Sequence, residues 1–127
     1  MKVGIVGSRR RNIEEDKNIL RQALIKLIEN GYASSLVSGG CPKGADKFAE
    51  ELAEELILPI KIFKPKFEEM KNQTRWEYAR VCFERNTLIA MESDILIAVV
   101  ALDRKGGTED TIKKFKKFHG ERKVLLL

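Results

Sequence analysis

Glycine, hydroxyl and basic residues meet at three places in this chain. They are Gly7-Ser8-Arg9, the run from Ser38-Gly39-Gly40 to Gly44-Ala45-Asp46, and Gly106-Gly107-Thr108. Each place follows an apolar run and opens a helical pattern. A glycine turn at a helix start exposes backbone N–H groups beside the positive end of the helix dipole, and an anion there is stabilised by both. Gly39 and Gly40 let the chain turn without Cβ clashes, and Gly44 permits close approach at the helix start. With Arg9 and Lys43 alongside, the set suits the holding of a phosphate-type ligand.

Two familiar phosphate motifs are missing. No Lys-Ser/Thr pair follows the glycines as GxxxxGK[ST] requires, and "VGIVGSR" places its glycines around the first apolar run rather than in a GxGxxG turn. Neither a P-loop NTPase nor an ordinary dinucleotide dehydrogenase is predicted.

The turns need a scaffold, and apolar runs alternate with helical patterns to supply one. Val3 to Val6 reads as a short buried strand. Leu20, Ala23, Leu24, Leu27 and Ile28 mark a helix over Ile13 to Asn30, stopped by Gly31. Ser34 to Ser38 is a second strand, and Ala45, Phe48, Ala49, Leu52, Ala53 and Leu56 mark the cleanest helix. A third strand spans Pro59 to Phe63. Lys64 to Arg75 reads as a polar surface loop, with Lys71 to Arg75 as an alternative lid over a small nucleotide, followed by a helix over Trp76 to Glu92. Eight apolar residues after Asp94 suggest a strand buried on both faces. The turn at Lys105-Gly106-Gly107 leads to a helix with Ile112 and Phe115 inward, and Lys123 to Leu127 closes the chain as a strand. Five strands separated by four helices predict an α/β fold: a single Rossmann-like domain over residues 1–127, with a doubly wound, mainly parallel sheet. In such sheets ligands bind outside the carboxyl ends of the strands, near the topological switch point. The three turns all stand at strand carboxyl ends and are predicted to share one edge.

Bulk composition narrows the classes. At 43% hydrophobic and 34% charged, the 127 residues fit a globular domain rather than a disordered chain. No apolar run approaches the roughly 20 residues that span a bilayer, so no membrane association is expected. The opening run is too short for a signal peptide. Cys41 and Cys82 stand apart with no metal-ligand spacing, so no metal, cofactor or disulfide framework is expected and the reading is cytoplasmic. The net charge of +5, with clusters at Arg9 to Arg11 and Lys113 to Lys117, favours an anionic partner, either a small phosphate-bearing molecule or nucleic acid. A solvated lysine-rich surface is the plainer reading of the second cluster.

Other residues have bland readings. His119 is taken as a surface residue, and Glu50, Glu51, Glu54 and Glu55 as a solvated helix face. Trp76 and Tyr78 read as helix-face packing residues, with base stacking as the alternative. Cys41 lies in a glycine turn but has no histidine or second cysteine placed near it by sequence.

Four blocks, "VGIVGSRR", "SGGCPKGADKFAEELA", "ERNTLIAMESDILIAVV" and "KGGTEDTI", come in an order and spacing that resembles the SMF/DprA–LOG superfamily, in particular its short stand-alone YspA-like members. The resemblance runs from Lys2 to about Ile112. It implies a Rossmann-like fold binding a nucleotide or nucleotide-derived ligand at the strand carboxyl ends. Carried over by position, contacts would come from Gly7, Ser8, Arg9, Ser38, Gly39, Gly40, Gly44, Ala45, Asp46, Arg85, Asn86, Gly106, Gly107 and Thr108. It also implies a homodimer or larger homo-oligomer.

The lonely-guy branch of that superfamily hydrolyses the N-glycosidic bond of nucleoside monophosphates with a PGGxGTxxE motif. Arg85 and Asp94 match its arginine spacing, but Thr111 stands where its glutamate would be, leaving Glu109 or Asp110 as substitutes. The expectation is therefore a nucleotide binder, a sensor or regulatory module. A phosphoribohydrolase using Arg85 with Glu109 or Asp110 is the first alternative, and a minimal DprA-like single-stranded DNA binder the second.

Overall fold

The computed structural model describes all residues from Met1 to Leu127. Five strands alternate with four α-helices: β1 (Lys2–Gly7), α1 (Glu14–Glu29), β2 (Ser35–Ser38), α2 (Ala45–Glu55), β3 (Ile60–Ile62), α3 (Arg75–Glu92), β4 (Ile95–Val99), α4 (Gly107–His119) and β5 (Val124–Leu126). A short 3₁₀ turn, Phe67–Glu69, interrupts the loop before α3. The strands form one sheet in the order β3-β2-β1-β4-β5. Every pairing is parallel, so the sheet is parallel throughout rather than mainly so. The chain winds outward from β1 to β3, then returns to lay β4 on the other side of β1. That reversal puts the switch point between β1 and β4, where Gly7 pairs with Val99.

Strand alternation divides the core between the two faces of the sheet. Val3, Ile5, Leu36, Ile97 and Val99 meet Leu20 and Leu24 of α1 and Phe48, Ala49 and Leu52 of α2. Val6, Val37, Leu96 and Ala98 meet Ile89 and Ala90 of α3 and Ile112 and Phe115 of α4. The fold is thus a Rossmann-like α/β sandwich with helices on both faces. Gly4 is the tight point on the second face, because a Cβ there would lie 2.2 Å from the hydroxyl of buried Ser93.

Helix ends follow the residues that can make them. At the end of α1, Gly31 takes φ +75°. Its N–H donates to Ile28 O at 3.0 Å and that of Tyr32 to Leu27 O at 2.8 Å, a Schellman stop. Thr74 caps α3 by accepting the Glu77 N–H.

Several expectations need correction. The apolar run after Asp94 leaves the sheet at Val100, and Leu102 is fully exposed in the loop beyond β4. His119 is not a free surface residue: Nε2 lies 2.9 Å from Ala90 O, and the ring packs on Phe115 with centroids 4.6 Å apart. Trp76 packs on little of this chain, being 86% exposed. The lysine cluster is split by helical geometry, with Phe115 at 0% exposure and Lys114 held by Asp110. No helix is long and apolar enough to cross a membrane.

The two phenylalanines near the end of α4 should behave oppositely. Phe115→Ala should cost about 3–5 kcal/mol in urea denaturation. Phe118→Ala, at a half-exposed position, should stay within about 0.5 kcal/mol of the parent.

Candidate functional site

The first turn is built on β1 and fastened to β4. Ser8 N–H donates to Val99 O at 2.9 Å, continuing the ladder past the strand, and Ser8 Oγ accepts the Arg10 N–H at 3.2 Å. The three consecutive arginines then separate. Arg11 is drawn inward, pairing with Asp16 at 2.9 Å and donating to the carbonyls of Val100 and Leu127. Arg10 forms a bidentate pair with Asp103, at 3.0 and 2.6 Å, and reaches Lys105 O. The Arg10 hydrogen bonds hold the Asp103 carboxyl below its ordinary range. Arg9, exposed like Arg10, is the one of the three with no ion pair.

The second turn is pressed against the first. A Cβ on Gly7 would meet that of Ala45 at 2.6 Å, and one on Gly44, at φ +73°, would meet Ser8 O at 2.8 Å. Asn12 Oδ1 accepts the Gly44 N–H at 2.8 Å and fixes the contact. Asp46, one residue into α2, faces the Gly39–Cys41 backbone. Burial pushes its carboxyl above the ordinary value of 3.8. The Cys41 N–H, donating to Oδ2 at 3.0 Å, and the nearby Arg85 guanidinium only partly offset that. Fully buried Ser38 Oγ makes no properly aligned hydrogen bond, so its help to the carboxylate is weak.

Arg85 comes from α3 on the opposite face of the sheet. It donates to Gly39 O at 2.7 Å and to Asn86 Oδ1 at 2.9 Å, leaving the rest of its fork of donors uncommitted. Asn86, buried beside it, donates to Gly107 O at 3.4 Å and Asp110 Oδ2 at 3.1 Å, which ties α3 to the third turn. Gly106 precedes α4 at φ +119°, a conformation open to glycine, and no side chain caps the helix start. Gly107 differs: its φ lies outside the left-handed region, and a Cβ would meet nothing within 4 Å.

These groups surround one cavity of about 880 Å³. Gly7, Ser8, Arg9, Gly39, Gly40, Asp46, Arg85, Asn86, Gly106, Gly107 and Thr108 line it, so the three turns do share one edge. Ser38, Gly44 and Ala45 are buried behind that wall, where Gly44 and Ala45 seat the second turn against the first. Glu109 and Asp110 also lie off the wall. Glu109 is held by Arg104 in a bidentate pair at 2.9 and 2.8 Å, and Asp110 by Lys114 and Asn86. Thr111 lines the cavity instead. The carboxylates on the wall are those of Asp46 and Asp103.

The sequence reading gives no role to Phe67, Cys82 or Phe83 on the wall, and takes Tyr78 for a packing residue with base stacking as the alternative. Phe67 and Tyr78, stacked at 5.6 Å and 16°, form an aromatic side with Phe83, while Cys41 and Cys82 both border the cavity. A signal existed for α3: Tyr78, Cys82, Arg85, Asn86 and Ile89 recur at helical spacing. None existed for Phe67, whose place depends on how the preceding loop folds back. No group of three or more His, Cys, Asp or Glu side chains is arranged to hold a metal ion.

No protein-family model matches the chain. No curated protein matches it at a significant level.

Asp46 carries a pH signature. Its folded-state affinity for a proton exceeds that of the unfolded chain, where an aspartate titrates near 3.9. Stability is therefore lost as pH rises from the unfolded value through the raised folded one, and the ionised group costs stability above that window. Asp46→Asn should thus be more stable than the parent at neutral pH, with the advantage vanishing in acid. Denaturant titrations at a series of pH values check the difference.

Proposed function

We propose that this chain binds a nucleotide or nucleotide-derived small molecule in the cavity at the carboxyl edge of the sheet, as a sensor or regulatory module. The observation that carries the reading is the meeting of three glycine turns around one cavity with two guanidinium groups, Arg9 and Arg85, that no carboxylate neutralises in an ion pair. An anion beside the uncapped start of α4 would meet free backbone N–H groups and the helix dipole. Glycine at 107 favours this reading. Neither steric crowding nor a left-handed φ requires it, and glycine is a poor helix former. A ligand approaching the backbone closely would account for it. Asp46 would accept a ribose hydroxyl, and the Phe67–Tyr78–Phe83 side would take a planar base. The resemblance to the SMF/DprA–LOG superfamily points the same way.

A nucleic-acid ligand is less well served. Of the arginine run, Arg10 and Arg11 are committed to Asp103 and Asp16, which leaves only Arg9 for a phosphate backbone.

One observation favours a second, enzymatic reading. Asp46 is a carboxyl on the cavity wall with its proton affinity raised by burial, a property of general acids. An N-glycosidic hydrolase built on this site would use Asp46 with Arg85 rather than Glu109 or Asp110, both held elsewhere.

Thermal-shift titration with a panel of nucleoside mono-, di- and triphosphates tests the binding reading. A true ligand at 100 times its dissociation constant should stabilise by about 2.7 kcal/mol. Arg9→Ala should weaken it roughly ten- to hundredfold without altering the stability of the free protein. No stabilisation by any nucleotide would sink the proposal. In the same incubations, free base and ribose 5-phosphate should appear if the site hydrolyses, and Asp46→Asn should stop their release. Binding without release across the panel would leave a binder and remove the hydrolase.

A further inference from the structure

A second hollow adjoins the cavity, away from the three turns. It is a groove of about 460 Å³ on the outer flank of α3, where Trp76, Arg80, Phe83 and Thr87 recur at helical spacing. Ala79 and Phe83 border both spaces, so the groove continues from the cavity over one aromatic rim. α4 holds that rim in place. Lys114 Nζ donates to Phe83 O at 2.8 Å, lies 5.3 Å from the ring centre and pairs with Asp110 at 2.9 Å. Asp110 in turn accepts a hydrogen bond from Asn86 on the cavity wall.

The groove repeats the chemistry of the cavity. Each has an aromatic surface beside guanidinium groups without an ion pair, Arg9 and Arg85 in the cavity and Arg80 in the groove. Trp76 lines the groove with its side chain almost wholly exposed, a planar surface that nothing in the chain covers. Glu84, also exposed and without an ion pair, offers an acceptor for an amino group. The cavity alone, at about 880 Å³, lies within the range of roughly 300–1,000 Å³ that holds a whole drug-sized ligand. A mononucleotide therefore has no need of the groove. A ligand that fills both spaces must carry a second planar group, joined to the first by an anionic link that passes the Phe83 rim near Arg80.

We propose that the groove is a second base subsite and that the ligand is a dinucleotide, two nucleosides joined through phosphates. One base occupies the cavity and the other stacks on Trp76, with Phe83 between them and Arg80 beside the linking phosphates. This assignment rests on the nucleotide reading of the cavity and supplies the second half of the ligand.

Trp76 is the only tryptophan of the chain, so its emission reads occupancy of the groove. Calorimetric titration compares AMP, ADP and ATP with diadenosine di-, tri- and tetraphosphate, and likewise the guanosine, cytidine and uridine sets. ADP-ribose supplies the linked diphosphate and second ribose without a second base. A dinucleotide should bind about ten- to hundredfold more tightly than its own mononucleotide, the gain from stacking one further base. It should also quench Trp76 emission in the unmodified protein, which the mononucleotide should not. Trp76→Ala should abolish the gain and leave mononucleotide affinity unchanged, while Trp76→Phe should keep most of it. Arg80→Ala should weaken the dinucleotide alone. Both side chains are exposed, and circular dichroism matching the parent confirms that the variants fold. Equal affinity for mononucleotides and dinucleotides, or a gain that survives Trp76→Ala, overturns the subsite and leaves the cavity reading standing. So does ADP-ribose binding as tightly as the dinucleotide. Single-stranded oligonucleotides binding more tightly still, with the excess lost in Trp76→Ala, would overturn the dinucleotide in favour of nucleic acid. No binding of any nucleotide overturns both readings together.

Discussion

No side chain fits between the first two turns of this fold, and the geometry of the sheet edge depends on that. Gly7 lies against Ala45, and Gly44 lies against the Ser8 carbonyl, at separations where even a methyl group would collide. Because the turns touch through backbone, the start of α2 is brought against the end of β1. Asn12 locks the contact by accepting the Gly44 N–H. A larger residue at either glycine would lever α2 away from the sheet and move Asp46 with it. These two glycines therefore shape the cavity without lining it together: Gly7 borders it, and Gly44 stands behind.

Electrostatics then decides which charges the cavity presents. Exposed ion pairs contribute little stability, typically under about 1 kcal/mol each. Here their effect is one of selection. Arg10 and Asp103 cancel across the mouth and join the first turn to the third, while Arg104 turns Glu109 aside and Lys114 does the same for Asp110. What remains on the wall is Arg9, the uncommitted part of Arg85, and one carboxyl, Asp46, whose burial disfavours its own charge. A ligand bearing an anion and a hydroxyl matches that remainder better than one bearing either alone.

The sheet was legible from sequence because strands buried on both faces read as apolar runs, most plainly in β1 and β4. The shared edge followed from topology, since parallel strands joined by crossovers put every strand-to-helix turn on one side. Which residues behind that edge reach the cavity was not legible. Ala45 and Asp46 are neighbours, yet one is sealed against Gly7 and the other opens to the cavity, a distinction set by the first turn of α2. The division of Arg9, Arg10 and Arg11 was equally hidden, because their partners lie far along the chain at Asp103, Val100 and Leu127. His119 was misread for the same reason, its carbonyl partner being 29 residues away.

α3 shows where periodicity stops helping. Val81, Ile89 and Ala90 bury against the sheet and α4, Tyr78, Phe83 and Arg85 border the cavity, and Trp76 and Met91 face outward. Apolar residues thus fall on more than one side, so no single polar side tells which direction is solvent. A core helix needs one apolar side, and the helix α2 keeps to that rule with its buried Phe48, Ala49 and Leu52. A helix that packs against the sheet on one side and lines a cavity on another needs those two sides specified separately, and a single apolar stripe at helical spacing does not do that.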